Sequence, residues 1–388
     1  AILERLEKLS VPEFIVLAAL ISGKNILLVG PPGSGKTGFI RDLLDKLGVS
    51  YSIETGNPEW TPYDTIGGSD IRGEFREGFI TRAVRECVSR LSEKGLPHWL
   101  IIDEINRANV DLAFGKFFTL MDVEYREKES LISKEMSKKE EVYVPYSFRV
   151  LATMNSVDRA LLYKLGYALT RRFAIINHNQ LKRLNKPDEL YESRLESYRE
   201  TCALEELDMD KIKKVLRLKK DEIKDYAVIL EDVYDRLDAL ESLLRLENTD
   251  LGGVLTCIVN KINESLRDYT ECEACPVTIT PGVVADALRF VAVAKALYDM
   301  IPEGIGVKRV VERSKLPSLL LDLALALYIL PQLDVLADYV KMEKYRAAGG
   351  SGKRLADLLD SVEREIENRG LKISVELVER IKRGFHTF

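Results

Sequence analysis

The sequence predicts an α/β domain with a mainly parallel five-stranded sheet over residues 1–180, followed by a large all-α domain with a long helical insertion over 181–388. Three observations carry that expectation. Short apolar runs alternate with helical patterns in the first half. A glycine-rich loop sits between the first such run and the first long amphipathic segment. Near residue 180 the apolar spacing changes to a helical period with few β-branched runs.

The first strand is expected over 25–29 (NILLV), a continuous apolar run of the kind buried on both faces of a parallel sheet. A helix should follow, with Phe39, Ile40, Leu43, Leu44 and Leu47 on one face and Gly48 as its C-cap. Further strands are expected over 49–53 (VSYSI), 98–102 (HWLII), 148–154 (FRVLATM) and 173–176 (FAII). In the second half, Ile223, Tyr226, Leu230, Val233, Leu237, Leu240 and Leu244 alternate steps of three and four. That stripe suits a bundle helix or an intermolecular coiled coil. Gly252–Gly253 should break this helix before another runs over 254–266. Residues 347–353 (AAGGSGK) read as a flexible turn, because no apolar strand precedes their GSGK.

Composition narrows the function classes. A chain of 388 residues, 46% hydrophobic and 31% charged, fits two or three ordered domains. Its net charge of −5 argues against a dedicated nucleic-acid reader, which normally carries a basic face. No window of 18 uncharged apolar residues occurs; the stretch 319–330 is short and contains Asp322. No charged-then-apolar leader is visible, so a cytoplasmic protein without membrane contact is expected. Five scattered cysteines (Cys87, Cys202, Cys257, Cys272 and Cys275) fit a reducing compartment.

The strongest motif is Gly30-Pro31-Pro32-Gly33-Ser34-Gly35-Lys36-Thr37, continued by Gly38, which matches G-x-x-x-x-G-K-[ST]. Glycines let the backbone curl so that successive N–H groups meet phosphate oxygens. The following helix directs its positive end at the same anion. Lys36 supplies a mobile charge for the β- and γ-phosphates, and the Thr37 hydroxyl is a ligand for Mg²⁺. An apolar strand ending in Asp103-Glu104 is the expected partner of such a loop. Asp103 would hold the Mg²⁺, and Glu104 would orient or deprotonate the attacking water. Two motifs in this order imply a nucleoside triphosphate hydrolase.

The residues after that pair narrow the family. Asp103-Glu104-Ile105-Asn106-Arg107-Ala108-Asn109 resembles the signature of McrB-like AAA+ proteins, the GTP-driven motor subunits of methylation-dependent restriction systems. Residues 145–155 (PYSFRVLATMN), continuing through Asp158-Arg159, resemble the family's strand and its Met-Asn-x-x-Asp-Arg pattern. Residues 168–173 (ALTRRF) resemble its Leu-x-Arg-Arg-Phe. Residues 59–68 (EWTPYDTIGG) are similar to a stretch of archaeal-looking members. The resemblance spans roughly residues 10–180 and is patchy over 250–295.

The resemblance implies an AAA+ three-layer α/β/α domain with a helical lid, and roles for further residues. Asn155 would be sensor 1, orienting water with Glu104. Arg171 and Arg172 look like arginine fingers that reach the nucleotide of an adjacent subunit. Asp158 would position arginines across that boundary or cap a helix. Asn106 and Arg107 would face an adjacent site or orient Glu104. A sensor 2 arginine is expected to open a lid helix, yet Gly282 stands there, and Arg289 lies two turns inside the helix over 283–296. That departure weakens a second reading, a MoxR-like ATPase acting as a chaperone.

The implied protein is a homo-oligomer, a hexameric ring, with Mg²⁺ and GTP, or ATP as the alternative. Its implied partners are a McrC-type nuclease subunit and DNA, reached through that partner or through an N-terminal module lacking here. The preference for GTP rests on resemblance alone, because the motifs read phosphates rather than bases. Cys272-Glu273-Ala274-Cys275 suits a local disulfide or plain packing better than zinc. The charged stretch 124–141, with Arg126, Lys128, Lys134, Lys138 and Lys139 against glutamates, reads as a solvated loop or a partner contact.

Overall fold

The computed structural model describes residues 2–126, 128–137, 141–156, 169, 171–186, 191, 198, 202, 244–246, 249–267, 278–345 and 355–385. Helix α1 (Val11–Ile21) starts with a reciprocal cap between Ser10 and Glu13 and leads into β1 (Asn25–Gly30). Helix α2 (Lys36–Leu47) ends at left-handed Gly48, as its sequence predicts. Strand β2 (Ser50–Thr55) is followed by a small hairpin, β3 (Gly67–Ser69) and β4 (Phe75–Glu77). Then come α3 (Phe79–Lys94), β5 (His98–Asp103), β6 (Val150–Asn155) and β7 (Phe173–Asn177). The main sheet has the order β2-β5-β6-β1-β7, and every pairing in it is parallel. All five predicted strands are present, displaced by two residues at most.

Alternation along the strands divides the apolar side chains between two layers. Ile26, Leu28, Ile101, Leu151 and Ile176 point to one face, and Leu27, Val29, Leu100, Ile102 and Ile175 to the other. The second face is covered by α3 and by residues 105–148. The first face is covered by α1, α2 and the C-terminal helices, so one continuous core joins both halves of the chain.

Those helices are α4 (His178–Arg183), α5 (Leu251–Arg267), α6 (Pro281–Met300), α7 (Leu316–Ala324), α8 (Leu336–Tyr345), α9 (Leu355–Glu367) and α10 (Lys372–Lys382). Among the described residues of this region, β8 (Arg245–Leu246) and β9 (Thr249–Asp250) form a two-stranded ladder beside the helices. Gly252 and Gly253 do not separate two helices but lie in the first turn of α5. A Cβ at Gly252 would stand 3.1 Å from Leu244, so close packing explains that glycine. The helical stretch Arg313–Leu333 is long and apolar enough to cross a membrane, but its apolar window is wholly buried here. It is core, with Asp322 satisfied inside it.

Two further expectations change. Cys202 and Cys257 form a disulfide, with Cα atoms 5.1 Å apart and a sequence separation of 55. This pair is not anticipated from the sequence, because such a separation leaves no local signal there. Cys87 is free and buried. Arg126 is not solvated: it is buried and donates to the carbonyls of Leu120, Pro145 and Phe148 at 2.7–3.0 Å. Leu131 and Ile132 of the same stretch and Val142 just after it are buried too, with an antiparallel bridge from Ile132 to Val142. The heptad-like stripe (apart from Leu244), Cys272, Cys275, Lys138, Lys139 and the AAGGSGK turn lie outside the described residues.

Candidate functional site

The site forms where β1, β5 and β6 end side by side. β1 is fully buried and stops at Gly30, where the chain must turn sharply. Gly33 (φ 70°) and Gly35 (φ 86°) take left-handed conformations that favour glycine, and α2 starts directly at Lys36. The fold therefore presents backbone N–H groups and a helix N-terminus in one concavity. Lys36 is buried, and its Nζ donates to the carbonyls of Gly30 (3.0 Å) and Pro31 (2.9 Å) and to Asn155 Oδ1 (3.1 Å). Burial pushes this ammonium below its ordinary pKa, while Asp103 and Glu104 pull it back up.

Register brings the remaining groups together. Gly30 lies opposite Asn155, and β6 in turn pairs with β5. Thr37 Oγ1 donates to Asp103 Oδ1 at 2.7 Å. Asn155 Nδ2 donates to Glu104 Oε1 at 2.8 Å, and Arg107 pairs with Glu104 Oε2 at 2.9 Å. One hydrogen-bonded chain thus runs from Lys36 through Asn155 to Glu104. Arg107 is half-exposed and turned to Glu104 of its own chain. Asn106 is buried, and its Oδ1 has no partner among the described residues.

The donor set fits Mg²⁺. Among the described residues no three His, Cys, Asp or Glu converge. Mg²⁺ however keeps several waters and takes one or two protein oxygens plus substrate phosphates. The Thr37 hydroxyl and the Asp103 carboxylate are hard oxygen donors in contact at the mouth of the loop.

Arg171 and Arg172 stand apart from this cluster, at the start of β7 rather than at the strand ends. A five-residue strand separates the two ends by roughly 16 Å, so these arginines do not serve the Lys36 site of their own chain. The structure also distinguishes them. Arg172 is buried, pairs with Asp122 at 3.2 Å and lies 4.1 Å over the Phe118 ring. The side chain of Arg171 is 48% exposed and lies 3.9 Å from Asp122. Lys24 and Asn25 hold the backbone carbonyls of Arg171 (2.7 Å) and Arg172 (3.2 Å). Asp158 lies outside the described residues.

Gly282, which stands where the resemblance would put a sensor 2 arginine, lines a groove of about 190 Å³ with Lys24, Asp122, Arg171 and Arg172. Asp286 one turn on pairs with both Lys24 and Arg289. Packing of α6 along α1 carries its N-terminus to the arginine end of the sheet. The helical region meets the phosphate loop through α4. His178 Nε2 lies 3.2 Å from Ser34 O, and Lys182 Nζ donates to the same oxygen at 2.8 Å. Gln180 and Arg183 tie α4 to Glu376 of α10. Burial holds the His178 imidazole below its ordinary pKa, with Lys182 adding to the effect. Sequence reading missed His178, Lys182 and also Thr153, which bridges Asp103 and Glu104. Only their positions after β7 and within the Thr-Met-Asn run could have drawn attention to them.

A phosphate loop opening a helix, an acidic pair on the neighbouring strand and a polar amide beyond it define a P-loop nucleoside-triphosphate domain of the AAA type. Residues 25–173 match the AAA domain (dynein-related subfamily). The chain is 30% identical to the type IV methyl-directed restriction enzyme EcoKMcrB subunit of Escherichia coli, over 45% of this chain and 40% of that protein. It is 24% identical to the type II restriction enzyme BsuMI component YdiS of Bacillus subtilis, over 43% and 60%. It is 34% identical to the uncharacterized protein YojN of the same species, over 24% and 30%. The chain thus spans between 30% and 60% of the length of these relatives.

Proposed function

We propose that this chain is the motor subunit of a McrBC-like complex that restricts modified DNA. It hydrolyses nucleoside triphosphate, with GTP preferred over ATP, while a separate nuclease subunit cuts. The observation that carries the hydrolytic part is the connected set Lys36, Thr37, Asp103, Glu104 and Asn155 at adjoining strand ends. The restriction context is supported by the likeness to two restriction-enzyme components. GTP preference and McrB-like membership are supported by the residues 103–109 and 168–173.

In this reading the phosphates lie on the Gly33–Gly35 amides and on Lys36, which exchanges its loop carbonyls for phosphate oxygens. Thr37 and Asp103 hold Mg²⁺, which supplies charge neutralisation of the β- and γ-oxygens when bound. Glu104 receives a proton from the attacking water, and Asn155 fixes the orientation of that carboxylate. Arg171 of one subunit reaches the γ-phosphate of the next, so that hydrolysis depends on a ring, a hexamer by family resemblance. Arg172 sets the direction of that approach from its seat between Asp122 and Phe118. DNA is engaged through the partner or through a further module.

A hydrolysis assay with GTP and ATP side by side tests the proposal. It is run on the wild type and on Glu104→Gln, with and without the candidate nuclease subunit. Faster turnover of GTP, stimulation by the nuclease and loss of both in the variant are expected. Hydrolysis of ATP with no response to GTP or to any nuclease would overturn the restriction reading in favour of a chaperone-like ATPase.

A further inference from the structure

We infer that Gly56 and Thr153 are positioning residues that hold Glu104 in the one backbone conformation from which its carboxylate meets Asn155. This rests on the hydrolytic role proposed for Glu104. Among the described residues Glu104 is the one non-glycine with positive φ (φ 50°, ψ 51°). A left-handed backbone at a long side chain is disfavoured and persists only when its surroundings impose it.

Two neighbours impose it from opposite sides. On one side the Glu104 N–H donates to Thr153 Oγ1 at 3.0 Å, and that hydroxyl donates on to Asp103 Oδ1. Thr153 is fully buried in β6, so it cannot follow a displaced Glu104. One hydroxyl therefore fixes both the metal-side carboxylate and the backbone of the water-side residue. On the other side the Glu104 carbonyl accepts from Arg107 N–H at 3.0 Å and lies against Gly56. A Cβ on Gly56 would stand 2.2 Å from that oxygen and 3.0 Å from the carbonyl carbon. Gly56 N–H donates to Asp103 O at 2.8 Å, which pins it across the Asp103–Glu104 peptide. Gly56 has no positive φ, so its requirement is close approach rather than conformation. An alanine there is allowed by its own backbone and excluded by Glu104.

Displacing the Glu104 peptide shifts its carboxylate while leaving Lys36 and the Gly33–Gly35 amides in place. Misplacement by about 1 Å can cost about 10²-fold in rate. The test measures kcat for GTP and ATP, Kd for a fluorescent non-hydrolysable GTP analogue, and Tm, for Gly56→Ala, Thr153→Val and Thr153→Ser. Gly56→Ala should lose roughly 10²-fold in kcat with Kd near the wild type and a lowered Tm from the backbone shift. Thr153→Val should lower kcat and raise the Mg²⁺ concentration for half-maximal rate, and Thr153→Ser should restore both. Wild-type kcat in Gly56→Ala, or a serine variant as slow as the valine one, overturns the inference. Parallel loss of Kd and kcat also overturns it, because the role is then only structural. Glu104→Gln separates the two readings. If it stops hydrolysis while Gly56→Ala does not, only the present inference fails; if it hydrolyses normally, the role of Glu104 itself fails.

Discussion

Lys36 carries a measurable consequence of its burial. Its pKa is lowered from the ordinary 10.5 by desolvation, so its charge is lost earlier on the alkaline side than that of a surface lysine. Triphosphate affinity should therefore fall as pH rises toward 10.5, and titration calorimetry in that range should detect proton uptake on binding. For folding the sign is opposite. A lysine whose pKa folding depresses costs stability while charged, and that cost fades as pH rises through the lowered value. Weakened binding without a matching drop in Tm is the expected pattern, and an affinity constant across that range would contradict it.

The arginine pair divides on the same scale. Arg171→Ala should cost on the order of 10³ or more in turnover within an assembled ring, with nucleotide Kd unchanged. Mixing Arg171→Ala with Lys36→Ala subunits should partly restore hydrolysis, because each supplies what the other lacks; no recovery would place Arg171 outside the shared site. Arg172→Ala should act on structure, lowering Tm as Asp122 loses its partner and Phe118 its cation.

Among the elements, the start of α10 is held by a buried carboxylate. Buried Asp322 of α7 accepts from the backbone N–H groups of Ile373 (2.9 Å) and Ser374 (2.8 Å) at the start of α10 and from Tyr191 Oη (2.8 Å). Burial raises its carboxyl pKa, and these donors oppose the rise. Asp322→Ala would strand three buried donors at about 1–3 kcal/mol each. An unfolding free energy lowered by about 3 kcal/mol or more, read from denaturant titration, is expected, and Asp322→Asn should lose less. Sequence alone marked Asp322 only as an interruption of an apolar run. Arg126 shows the same limit: a cation in a charged stretch reads as solvated until the carbonyls it serves are brought around it.

Across the whole molecule, the shared core and the disulfide join distant parts of the chain. Cys202 and Cys257 close a loop of 55 residues, and such a cross-link contributes about 2–4 kcal/mol by restricting the unfolded chain. Cys257→Ser, or a thiol reductant, should lower Tm accordingly; an unchanged Tm would show that the reduced chain is equally stable.

The sequence by itself determined the five strands, the phosphate loop and the Asp103–Glu104 pair. These depend on local pattern: apolar runs, glycines where the backbone must curl, and acids at a strand end. It also indicated Asn155 through its motif. Only the tertiary structure decided that Arg172 is buried while Arg171 is half-exposed, since both sit in the same basic dipeptide. Packing of α6 along α1 set Gly282 beside Lys24, Arg171 and Arg172, a placement that spacing alone does not give. Gly56 and Thr153 acquired their places at Glu104 through the register of three strands. Such neighbours are set by contacts between residues far apart in the chain, which no local pattern encodes.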